Sequence, residues 1–309
     1  MGESQGRRKD DAVVILAFQE VAVCPESSTR CGGFRCYMNI IRVAFALCTL
    51  CRSLFGASFR DDFAVVFIDA ASEAKFGAFP LDRSLLARAI QKASDLHARG
   101  VVLKFFLDQP KAEASDLLLA QALTNTPVLL QARIDDSEAH PNPLPARFTL
   151  QGVKFQTQIS GRGGWIPIPR FMANAHDVGF VDFSSTQVPL VENYQDRPVK
   201  SLVLCCIELA TGKRAIIEPG QKLTLGAHEL RLDARNCVQA KLPLKDDLAY
   251  IPFQRFLAGD IPANLIQGKV VIVGYDGPKM HSISTPIGQV RAHRLFVYEL
   301  QSIYEQLCN

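Results

Sequence analysis

The sequence predicts a single mixed α/β domain of three layers, a parallel-dominated sheet flanked by helices. Two observations carry this. Apolar runs without alternation recur at 63–69, 101–108, 127–134 and 268–277, the pattern of strands buried on both faces. Between the first three lie segments with helical spacing, which gives the β-α-β-α-β order of right-handed parallel crossovers. The chain has 309 residues, 48% of them hydrophobic, which is enough for one large core.

Each element follows in order. FAVVFID (63–69) ends in an acid and reads as the first strand. In 80–100, Asp82 is an N-cap candidate, Leu85, Leu86, Ile90, Ala93 and Leu96 recur at helical spacing, and Gly100 closes the helix. VVLKFFLD (101–108) is the second strand. The spacing predicts a helix over 111–124, with Leu117, Leu118, Ala120 and Leu123 on one side, and PVLLQARI (127–134) is the third strand. Residues 135–165 read as loops around one strand at 148–159. VGFVDF (178–183) is a short strand, and 199–212 is a helix ended by Gly212. Two short strands near 214–218 and 229–233 carry turn signals at Pro219–Gly220 and Gly226. A short helix at 253–262 precedes GKVVIVGYDG (268–277), whose strand is expected to enter the first sheet beside 63–69 and 101–107. The last helix, 290–307, turns Leu295, Tyr298, Ile303 and Leu307 inward.

Charge and composition exclude several classes. The net charge is +3, and residues 1–60 carry that excess, with eight Lys/Arg against five Asp/Glu. The rest is balanced, so no nucleic-acid partner is expected. No apolar run reaches the roughly 18–20 residues of a membrane helix. Residues 1–37 are read as an upstream extension, with translation starting at Met38. From there MNIIR, the apolar VAFALCTLC (43–51) and the small residues Gly56, Ala57 and Ser58 form the three regions of a secretory signal peptide. A short uncleaved anchor and a buried amphipathic helix at 40–56 are the alternatives for 38–58. Either of the first two makes 59–309 an extracytoplasmic domain, periplasmic or weakly membrane-associated through 40–56. Five of the nine cysteines (24, 31, 36, 48, 51) precede that domain. Within it, a bridge from Cys205 or Cys206 to Cys237 is compatible with export, but small buried thiols are the preferred reading.

Four segments in order resemble the second type of CHASE domain, the extracytoplasmic sensor module of bacterial signalling proteins. These are VVFIDAASEAKFGAFPLDRSLLARAIQKA (65–93), with Asp69, Pro80 and Arg83 in matching places, and GVVLKFFLDQP (100–110), with Asp108 and Pro110. VGFVDFSSTQVPL (178–190) with its following helix, and 251–304 with its Thr285–Pro286, complete the set. Three departures stand out. Lys104 occupies about the place of a family acid, the His281–Ser282 region replaces a loop acid, and the last helix opens differently at Arg291–Ala292 and Phe296–Val297. The resemblance implies a sensor-like domain over 59–309. No membrane helix or output domain follows before Asn309, so a stand-alone, diverged copy is expected.

Candidate site residues are few. Ligands of open parallel sheets sit beyond the carboxyl ends of strands, where Asp69 and Asp108 fall, and Arg83 opens the crossover helix. Arg83 is expected to reach Asp69 or Asp108, with a structural ion pair preferred over a ligand contact. Asp276, His281 and Thr285 are further ligand-binding candidates. The Gly274–Gly277 turn could cradle an anion, though a plain strand-ending turn is the simpler reading. His281, Ser282, Ser284 and Asp276 supply hydrolytic residue types, without a G-x-S-x-G elbow. The six histidines have no metal-ligand spacing, so neither a metal nor another cofactor is expected. Trp165 is a loop anchor or a ligand stacker. Taken together, these residues favour a non-enzymatic sensory or ligand-binding module, its partner a small molecule or a membrane-bound signalling protein. The alternative is a small α/β enzyme or small-molecule binder acting through the 274–286 loop.

Overall fold

The structure, a computed structural model, describes residues 58–152, 154–182 and 187–308. Its centre is a parallel sheet of β1 (Phe63–Ile68), β2 (Gly100–Leu103), β3 (Val128–Ile134), β4 (Asp177–Phe180) and β5 (Val270–Tyr275). The spatial order is β1-β5-β2-β3-β4. Ile251–Pro252 pairs with the outer edge of β1, and Gly164–Trp165 pairs antiparallel with the end of β3. The late strand thus enters the first sheet, with Val270 opposite both Phe63 and Gly100.

Every residue of β1, β2 and β5 is buried, which explains the unbroken apolar runs. Ala64, Val66 and Ile68 of β1 face one layer, while Phe63, Val65 and Phe67 face the other. The first layer holds α1 (Ala70–Phe76), α2 (Arg83–Asp95), α3 (Glu113–Ala122) and a short helix at Phe253–Ala258. The second holds α4 (Leu202–Thr211) and α5 (Ala292–Cys308), with a small antiparallel sheet over Ile216–Arg231 packed against them. The three-layer α/β expectation holds.

Local chemistry sets the helix ends. Asp82 accepts the Ser84 N–H at 2.8 Å to open α2, and Gly212 at φ +66° closes α4. Gly100, expected to close α2, instead opens β2. A Cβ there would lie 2.7 Å from the Pro127 carbonyl oxygen.

Other expectations shift. The second strand stops at Leu103, so 104–108 is irregular. In α3, Leu117 and Leu118 are 44% and 49% exposed, while Ser115, Asp116, Leu119, Ala120 and Ala122 turn inward. The strand expected at 148–159 is absent among the described residues. Only an isolated bridge from Thr149 to Val199 forms there, and the segment is tied instead by side chains such as Asn236, whose Nδ2 donates to the Gln156 carbonyl at 2.7 Å. An unforeseen hairpin, β6 (Ser282–Thr285) and β7 (Gly288–Arg291), precedes α5. Cys205, Cys206, Cys237 and Cys308 are free thiols, so the Cys205 or Cys206 to Cys237 bridge does not form. The expectations for 1–37 and for a signal peptide or anchor at 38–57 lie outside the described residues. Among those described, no helix is long and apolar enough to cross a membrane.

Candidate functional site

After β2 the chain turns into the layer of α2 and α3, and after β5 it runs through the hairpin into α5 on the opposite layer. Divergent connections beyond adjacent parallel strands leave a crevice at their carboxyl ends. A cleft of about 710 Å³ opens there, lined by residues following β1, β2, β3, β4 and β5 and by the first turns of α5. Its walls are largely apolar and aromatic, with Phe79, Phe105, Phe106, Trp165, Leu295 and Phe296. Trp165 meets Phe106 edge-on at 4.7 Å and lies 5.3 Å below the Arg133 guanidinium, so it both anchors its loop and lines the cleft.

Ionisable groups are buried in this apolar setting. Lys104, the first residue after β2, is 6% exposed. Its Nζ donates to Gln131 Oε1 at 2.6 Å and lies 4.8 Å from the Phe296 ring centre. Burial pushes its amine down to about 7, partly opposed by the charge of Glu299. Glu299, on the inward face of α5, is 5% exposed, and no donor reaches its Oε1. Burial pushes that carboxyl up to about 8, with Lys104 opposing. His293 accepts the Tyr275 N–H on Nδ1 at 2.9 Å, so the neutral ring carries its proton on Nε2. Burial, then the nearby Lys104, hold its pKa well below the usual histidine range.

A second carboxyl group borders the cleft. Asp182 accepts the Ile134 N–H at 2.8 Å and faces Arg133 Nε at 3.5 Å. Beside it lies Glu192, fully buried and without a donor to either oxygen, on the strand Val191–Tyr194. Burial first, then the neighbouring Asp182, push Glu192 well above the carboxylate range.

Of the six sequence-derived candidates, Arg83 and His281 line the cleft. Arg83 does not reach Asp69 or Asp108. Its Nη1 meets Asp116 Oδ1 at 2.6 Å, its Nη2 donates to the Gln109 carbonyl at 2.5 Å, and its guanidinium lies 5.0 Å from the Phe171 ring centre. The reason is helix packing, since α2 lies beside α3 and brings the first turn of α3 against Arg83. Asp69 is occupied at the start of α1, accepting the Ser72 N–H at 2.9 Å and the Ser72 hydroxyl at 2.8 Å. Asp108 is half-buried, and its backbone carbonyl accepts from Asn142 Nδ2 at 2.7 Å.

The 274–286 loop is mostly committed to its own architecture. Asp276 is buried between Arg291 at 3.2 Å and Arg294 at 3.1 Å. Thr285 donates to the Gly288 carbonyl at 2.8 Å within the β6–β7 turn. Ser282 and Ser284 lie exposed on β6, and the Gly274–Gly277 segment ends a strand with no helix opening on it. Among the described residues, no three His, Cys, Asp or Glu side chains could hold a metal ion.

Lys104, Gln131, His293 and Glu299 escaped the sequence reading as site residues. The signal was present as a conflict between residue and surroundings. A lysine interrupts VVLKFFL, and an acid stands between Tyr298 and Leu300 on the buried face of a helix.

The arrangement defines an open parallel α/β module with a ligand-sized cleft at its switch point. A family model described as the CHASE2 domain matches residues 41–304, nearly the whole chain. The chain therefore belongs to the CHASE2 domain family, a family of extracytoplasmic sensory domains. Comparison with curated proteins found no match, and neither did comparison with solved structures.

Proposed function

We propose that the chain is an extracytoplasmic sensor whose small-molecule ligand occupies the cleft beyond β2 and β5, and that it acts by binding rather than by catalysis. The cleft carries this reading. Its volume of about 710 Å³ is that of a small-molecule site, its walls are mostly apolar, and a few polar groups converge on its floor. The buried Lys104 and Glu299 support it, because fold stability alone gives no reason to retain them there. Occupancy would bias the packing of α5 against the sheet, since Phe296 and Glu299 of α5 line the cleft. A membrane-bound signalling partner is the natural reader of that bias. Native mass spectrometry of the full chain, compared with Ala292→Trp at the cleft wall, tests the reading. A small-molecule adduct on the native chain that is lost in the variant is expected. An adduct retained by Ala292→Trp would place binding elsewhere and contradict it.

A further inference from the structure

We infer that the cleft takes an amphipathic organic anion, its acid group against Lys104 and its apolar body between the aromatic walls. This rests on the cleft being the ligand site and adds the chemistry of what it holds.

Three features converge on an anion. Lys104 is nearly inaccessible, yet among the described residues no carboxylate comes within 4.0 Å of its Nζ, which has only the Gln131 amide oxygen and the Phe296 ring. A buried ammonium with no carboxylate in contact is costly, and a ligand acid would supply that contact. The cleft wall also carries more basic than acidic groups. Exposed Lys111 and Lys279 flank it, while among the described residues its only carboxyls are Asp182, which already faces Arg133, and Glu299. Finally, Glu299 Oε1 is buried with no donor reaching it. In its neutral form this carboxyl donates a hydrogen bond, so an acid group between Lys104 and Glu299 would meet two donors.

The same geometry links binding to protons. The titratable groups acting on Lys104 are Arg133 from β3, Asp182 after β4, Cys206 from α4, and His293 and Glu299 from α5. An anion selects the charged amine of Lys104 and the neutral acid of Glu299. Binding therefore takes up protons near neutral pH and weakens as either group deprotonates.

Fluorescence titration of the full chain tests this, using anilinonaphthalene sulfonate and its uncharged parent, N-phenylnaphthylamine. The sulfonate is expected to bind about tenfold or more tightly than the parent, as for a charge-assisted contact. Lys104→Met, or Lys104→Gln if the first variant does not fold, should erase that gap and leave the uncharged probe unchanged. Ala292→Trp should weaken both probes. Equal affinities, or a gap that survives loss of Lys104, overturn the anion inference but leave the cleft reading standing if Ala292→Trp still weakens binding. Two probes that ignore Ala292→Trp, or that do not bind at all, overturn the cleft reading and this inference with it.

Discussion

Replacing Glu299 with Gln removes one titration while keeping the side chain's shape. Burial raises this carboxyl to about 8 from an ordinary 4.5. Between those values the folded chain holds a proton that the unfolded chain has released. Native stability is therefore lost as pH rises through that interval. Gln carries no such penalty. The stability gained by Glu299→Gln should be near zero at the acid end, grow with pH and level off above about 8. Each pH unit is worth about 1.4 kcal/mol, so the whole interval sets a ceiling near 5 kcal/mol. That interval already includes the opposing attraction of Lys104, and local relaxation around the buried charge brings the expected plateau to about 2–3 kcal/mol. Urea unfolding of both chains across the interval reads this difference. His293, Asp182 and Glu192 titrate in both chains, so most of their contribution cancels. A difference that is flat with pH, or that shrinks as pH rises, would refute the burial argument.

Three further outcomes follow from packing. Arg83→Lys gives up the planar fork between Asp116 and the Gln109 carbonyl, and should cost about 2–4 kcal/mol in chemical denaturation. A loss within experimental error would show that the buried pair contributes nothing. Gly179→Ala places a Cβ 2.4 Å from the Leu202 Cα, where β4 meets α4. It should lower stability by about 2 kcal/mol or more, visible in the melting temperature, and an unchanged melt would contradict that close approach. Replacing Leu117 and Leu118 together by Lys should change stability by only about 0.5 kcal/mol, because that face of α3 meets solvent. A loss several times larger would return both leucines to the core.

The central sheet was legible because burial on both faces leaves a simple trace. The runs at 63–68 and 270–275 hold no charged residue, and that is why a strand so late in the chain could be assigned to the first sheet. The inward face of α3 was not legible. Its buried stripe includes Ser115 and Asp116, which are polar because Asp116 answers Arg83, while two leucines face water. The β6–β7 hairpin turns through Pro286–Ile287 and gave none of the Asn-Gly or Asp-Gly signal that marks tight hairpins. Arg83 was recognisable as a buried fork seeking a carboxylate, but its partner depended on which helix packs beside α2. The site was only half visible for a similar reason. Lys104 and Glu299 each conflicted with their surroundings, but they lie far apart in sequence and come together only when α5 covers the end of β2.

The cleft is proposed as a ligand site with an acid-binding floor. A crystal structure of the chain grown with anilinonaphthalene sulfonate tests it most directly. The expected result places a sulfonate oxygen about 2.7–2.9 Å from Lys104 Nζ, with the ring system among Phe105, Phe106 and Phe296. A sulfonate held only at the exposed Lys111 or Lys279, with its rings in solvent and the cleft unfilled, would contradict it.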